Sequence, residues 1–114
     1  LIAAKAKGTS FFKDIGELNN KESPRLKVSS NFLTMIGIKN YCTADSIKII
    51  GNPNLQLNGN YIMKNFLKDH RVFMTSTIAA LCFGGEWQIN DRDSIKTSFP
   101  SFLKKITYLG AKIL

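Results

Sequence analysis

The chain has 114 residues, of which 44% are hydrophobic and 21% charged, enough for one modest domain or part of a larger one and too apolar for a disordered chain. Sixteen Lys and Arg against eight Asp and Glu leave a net charge of +8, which admits nucleic acid, an acidic membrane surface or small anionic substrates as partners. The basic residues are scattered with no run of five, which weakens the nucleic-acid option, and no apolar stretch reaches the length of a membrane span. Cys42 and Cys82 lack the spacing of a zinc site or a disulfide framework, so a reduced, cytosolic protein without a metal is expected.

In chain order, Leu1 to Lys7 reads as the last turns of a helix already under way, with neither the apolar core nor the cleavage site of a secretory signal. The beginning therefore looks cut, and residues 1–114 are expected to be the C-terminal part of a single domain of a longer polypeptide. Gly8 breaks the helix, Thr9 to Asp14 reads as a short strand and Gly16 to Asn20 as a loop. Ser23-Pro24 predicts a helix start, Ser as N-cap and Pro in the first turn, with Leu26, Val28, Phe32, Leu33 and Ile36 buried and Gly37 as the stop. Lys39 to Thr43 and Ser46 to Ile50 read as paired strands around Ala44-Asp45. Asn52-Pro53-Asn54 and Asn58-Gly59-Asn60 are turn signals, with Tyr61-Ile62-Met63 a strand after them.

Asp69 is a good N-cap for the apolar run that ends at Phe83, because its carboxylate can accept from backbone N–H groups two or three residues on. With no charged face, that helix is expected to be buried on nearly all sides. Gly85 then opens a strand through Ile89, Asn90 to Lys96 a polar loop, and Ser98 and Pro100 a helix carrying Phe102, Leu103, Ile106 and Leu109 to a stop at Gly110. Ala111 to Leu114 reads as a last strand. Gly8, Pro24 and Gly37 are thus echoed by Gly85, Pro100 and Gly110, roughly 75 residues on. A two-layer α+β arrangement of repeated units fits this echo better than a solenoid.

The chemistry-bearing residues cluster at two helix starts, Lys21-Glu22-Ser23-Pro24-Arg25 and Asp69-His70-Arg71. Helix N-termini favour anions, Arg forks match carboxylate and phosphate, and Lys adds a mobile point charge. Glu22 in that company suits proton transfer if it reaches the reacting atom. On local pattern alone, the same residues serve equally as surface ion pairs and an ordinary cap.

Lys21-Glu22-Ser23-x-Arg25-Leu26, Asp69-His70-Arg71-Val72-x-Met74, Thr97-Ser98-Phe99-Pro100 and Leu109-Gly110-Ala111-Lys112-Ile113 occur in the order found in the 5-enolpyruvylshikimate-3-phosphate (EPSP) synthase family, which this chain resembles over essentially its whole length. The resemblance implies repeated βαβαββ units of the enolpyruvyl transferase type, one to two of them here. It implies transfer of the enolpyruvyl group of phosphoenolpyruvate to the 5-hydroxyl of shikimate 3-phosphate, releasing phosphate, with no metal or organic cofactor. By motif match Lys21 would contact shikimate 3-phosphate, Arg25 and Arg71 would bind phosphoenolpyruvate, and Glu22, supported by His70, would move protons at the methylene carbon. Partners would be the two anionic substrates and the remainder of the same polypeptide, not nucleic acid or membrane. Pro24 replaces a usually polar residue and Phe73 a small one. Thr97 falls where some members carry a phosphoenolpyruvate-binding Lys, with Lys96 one position away. The competing class is a non-catalytic basic module for anions or nucleic acid, suggested by the charge and by Phe11, Phe12 and Tyr61.

Overall fold

The computed structural model describes all 114 residues. Its first half runs α1 (Ile2–Lys5), β1 (Thr9–Phe12), a 3-10 turn (Gly16–Asn20), α2 (Arg25–Met35), β2 (Asn40–Cys42) and β3 (Ile47–Ile50). The second runs β4 (Leu57–Met63), α3 (His70–Phe83), β5 (Gly84–Ile89), a 3-10 turn (Arg92–Ile95) and α4 (Phe102–Tyr108). The order α-β-α-β-β followed by β-α-β-α is that of consecutive βαβαββ units, and the α+β expectation holds.

β3 lies between β1 and β2, antiparallel to both, pairing Phe11 and Tyr41 with opposite sides of Lys48. The alternation of Ile47 and Ile49 sends one face of this sheet into the core, against Leu26, Leu33, Ile36 and Ile38. β4 and β5 are parallel, a pairing that requires a crossover, and α3 supplies it. Across this pair Trp87 stacks on Tyr61 with ring centroids 4.9 Å apart, and on Phe32 of α2 at 5.8 Å, which ties the two halves together. Gly37 ends α2 at φ +81°, as its position predicts. Gly84 joins α3 to β5 at φ +92°, where a Cβ would stand 2.7 Å from the Leu57 carbonyl oxygen, so no other residue fits there without a shift.

Several expectations change. Asn58-Gly59-Asn60 is not a reversal but the interior of β4. The register slips by one residue between Leu57 and Asn60, so the local turn tendency is absorbed in a bulge. Gly16 to Asn20 is a 3-10 turn and not an irregular loop. Residues 111–114 form no strand, and Leu109 is exposed. Nor is α3 enclosed all round: Thr75, Leu81 and Cys82 face outward. Its last turns border an open apolar groove with Leu1, Ile2, Phe12 and Ile49. No helix is long and apolar enough to cross a membrane.

Candidate functional site

The site is organised by Asp69, whose side chain has no exposed surface. One carboxylate oxygen, Oδ1, accepts from the Arg71 backbone N–H at 3.0 Å, the N-cap bond that the sequence predicts for α3. That oxygen also accepts from Arg25 Nη2 at 3.2 Å. The other, Oδ2, accepts from Ser23 Oγ at 2.7 Å and Arg25 Nε at 2.8 Å. One buried carboxylate therefore holds the start of α3 to the segment that opens α2.

Leading into it, Asn65, Leu67 and Lys68 all sit at positive φ, a conformation of order 1 kcal/mol or more unfavourable for such residues. Phe66 between them is fully buried and pins this stretch.

Burial alone would push the Asp69 carboxyl up. The hydrogen bonds from Arg25, Ser23 and the Arg71 N–H, with the guanidinium charge, outweigh it and hold the carboxyl below the usual range. The same hydrogen bond, against the cost of burial, raises Arg25 above its already high ordinary value. Both groups are ionised at any physiological pH.

Ser23 does not cap α2. Its hydroxyl is turned to Asp69, and Pro24 occupies the cap position without a side-chain bond. The cap is supplied instead by Asn19, whose Oδ1 accepts from the Lys27 N–H at 3.2 Å. Within the segment, Arg25 Nη2 donates to Glu22 Oε2 at 2.5 Å, and Lys21 Nζ lies 3.3 Å from Glu17 Oε1. The Arg71 guanidinium is exposed and meets no carboxylate, and the half-buried His70 ring makes no hydrogen bond within the chain.

The structure thus brings Glu22, Arg25 and the His70-Arg71 turn to one carboxylate, with Lys21 on the adjoining exposed loop. It pairs Lys21, Glu22, Arg25 and Asp69 within the chain and leaves Arg71 as the unpaired cation of the site. Lys96 and Thr97 are both exposed and outside this network. No group of three His, Cys, Asp or Glu comes together in a way that suits a metal ion. Sequence reasoning placed Asp69 as a cap but missed that it receives Ser23 and Arg25. The only local sign is an acidic residue directly ahead of an apolar helix, where a carboxylate without a cationic partner would be costly to bury.

Comparison with known proteins gives a consistent picture. The family model described as EPSP synthase (3-phosphoshikimate 1-carboxyvinyltransferase) matches residues 1–106. The 3-phosphoshikimate 1-carboxyvinyltransferase of Lactococcus lactis subsp. lactis (strain IL1403) is 37% identical over 114 residues, taking in 99% of this chain and 26% of the relative. That of Ruthia magnifica subsp. Calyptogena magnifica is 35% identical over 117 residues, covering 99% and 25%. Among solved structures, EPSP synthase from Acinetobacter baumannii superposes with a TM-score of 0.70 at 25% identity, over 93% of this chain and 24% of that one. The chain spans about a quarter of the length of the relatives it matches. These likenesses do not favour a non-catalytic basic module.

Proposed function

The chain belongs to the EPSP synthase family, and from that premise we propose that its residues supply part of an active site that moves the enolpyruvyl group of phosphoenolpyruvate to the 5-hydroxyl of shikimate 3-phosphate, releasing phosphate. In this reading residues 1–114 are the C-terminal part of one enolpyruvyl transferase domain, and the rest of the polypeptide completes the site. Arg71 and Arg25 bind phosphoenolpyruvate, and Lys21 contacts shikimate 3-phosphate. Exchanging a phosphate for an alkoxy oxygen at an alkene carbon requires protons to be handled at the neighbouring methylene. Glu22, seconded by His70, has that task. The reaction needs no metal or organic cofactor, and its setting is the reducing cytosol, in keeping with two free, exposed cysteines.

The observation that carries the reading is the shared Asp69 carboxylate. It accepts from Arg25 and from the backbone of Arg71, residues 46 apart in sequence, and so gathers the Lys21–Arg25 segment and the His70-Arg71 turn into one cationic corner. A small dianion is what such a corner suits, since Arg forks and free helix N–H groups both recognise carboxylate and phosphate.

The test is a chimera in which these residues replace the matching 26% of the Lactococcus lactis relative. It is expected to release phosphate from phosphoenolpyruvate only when shikimate 3-phosphate is present. A chimera that folds, by circular dichroism and gel filtration, yet binds neither substrate would refute the proposal.

A further inference from the structure

A guanidinium has five N–H hydrogens, and in Arg25 three are already engaged. Nε and one hydrogen of Nη2 go to the two oxygens of Asp69, at 2.8 and 3.2 Å. Nη2 also donates to Glu22 Oε2 at 2.5 Å. The edge that ordinarily grips a carboxylate in two-pronged fashion is therefore closed, and only Nη1 remains for a ligand. Asp69 is fully buried and saturated by four bonds, so it touches no ligand itself. Arg71, by contrast, is anchored through its backbone N–H while its guanidinium stays exposed and unpaired.

Resting on the function proposed above, we infer that Asp69 is a positioning residue: it fixes Arg25 as a one-sided donor, holds Glu22 through Arg25, and leaves two-pronged capture of phosphoenolpyruvate to Arg71. The two bonds to the buried Asp69 carboxylate fix the Arg25 side chain before the ligand arrives, so little ordering entropy remains to be lost on binding. The internal pairing also explains how two arginines and two carboxylates share a corner without repelling either an anion or each other: Asp69 and Glu22 are both turned onto Arg25.

The test uses the polypeptide of family length carrying these residues, with Asp69→Asn, Arg25→Lys and the double variant. Asp69→Asn keeps the side-chain volume and a cap acceptor but sets an amide N–H against the Arg25 donors. It is expected to raise the KM for phosphoenolpyruvate about tenfold and that for shikimate 3-phosphate by less than about twofold, with kcat also reduced because Glu22 loses its tether. The double variant should be no worse for phosphoenolpyruvate than Arg25→Lys alone, because Asp69 acts through Arg25. Additive effects, or equal changes for both substrates, would overturn the positioning role while leaving the function intact.

A second measurement needs no variant to fold. In the unmodified polypeptide, phenylglyoxal should label Arg71 at least about tenfold faster than Arg25, with phosphoenolpyruvate protecting Arg71. Equal labelling would refute the division of labour. If the unmodified polypeptide fails to bind phosphoenolpyruvate at all, the function itself falls and this role with it.

Discussion

Replacing Asp69 with Ala removes a fully buried carboxylate that accepts four hydrogen bonds. The cap on the Arg71 N–H is lost, at about 1 kcal/mol. Ser23, 1% exposed, keeps its hydroxyl but loses its acceptor, which costs about 1–3 kcal/mol. Arg25 loses its buried counter-charge, a change worth about 3–5 kcal/mol for a fully enclosed pair. Here the guanidinium is 15% exposed and retains Glu22, so the lower end applies. These contributions overlap, and the net loss should be about 3–5 kcal/mol. Asp69→Asn keeps a cap acceptor and should lose about half as much. Ser23→Ala removes the donor along with its need for a partner and should cost only about 1 kcal/mol.

Urea unfolding of the 114-residue chain at monomeric dilution measures all three. Trp87 is the only tryptophan, and its stacking on Tyr61 and Phe32 makes its fluorescence a probe of packing. The pH dependence follows from the direction of the shift. The folded-state pKa of Asp69 lies below the unfolded value, so its contribution is whole above the unfolded pKa of about 4 and is lost as pH falls through the folded value. The gap between the native chain and Asp69→Ala should be level from neutral pH down to about 5 and narrow in stronger acid. A gap below about 1 kcal/mol at neutral pH, or one as large for Ser23→Ala, would refute the reasoning.

Arg71→Lys keeps the charge but loses the fork, and in the full-length polypeptide should weaken phosphoenolpyruvate binding about ten- to a hundredfold with little change for shikimate 3-phosphate; separate titrations with each substrate decide this. Gly84→Ala should destabilise by at least about 2 kcal/mol in the same urea assay, since the new Cβ meets both a positive φ and the Leu57 carbonyl oxygen at 2.7 Å. The 114-residue chain made alone is expected to turn over no shikimate 3-phosphate, because it holds only part of the proposed site. It should also self-associate through the groove where Ile2 is 90% and Phe12 44% exposed, and a stable monomer by sedimentation would contradict that.

Much of this architecture was legible locally. The stop of α2 at Gly37, the hairpin of β2 and β3 and the Asp69 cap on α3 all rest on signals within a few residues, such as capping oxygens, glycine conformations and apolar periodicity. The echo between the halves holds for strand, helix and glycine stop, but α4 begins at Phe102 and not at Pro100, and no closing strand follows it. Where tertiary pairing competes with such signals, it prevails. Asn58-Gly59-Asn60 looks like a turn but is drawn into β4, because parallel pairing with β5 and the Tyr61–Trp87 stack reward an extended chain.

The candidate site divides in the same way. Its charged residues and their motifs stand in the sequence, whereas their partners do not. Ser23 stands where a cap belongs, yet the fold turns its hydroxyl onto a carboxylate 46 positions away. Arg25 and Arg71 are equivalent on paper, two arginines in the first turns of two helices. Only the packing of one helix start against the other, which buries Asp69 between them, commits Arg25 to an internal pair and leaves Arg71 free. A buried carboxylate must find its cation, and which cation is near enough is decided by the three-dimensional path of the chain.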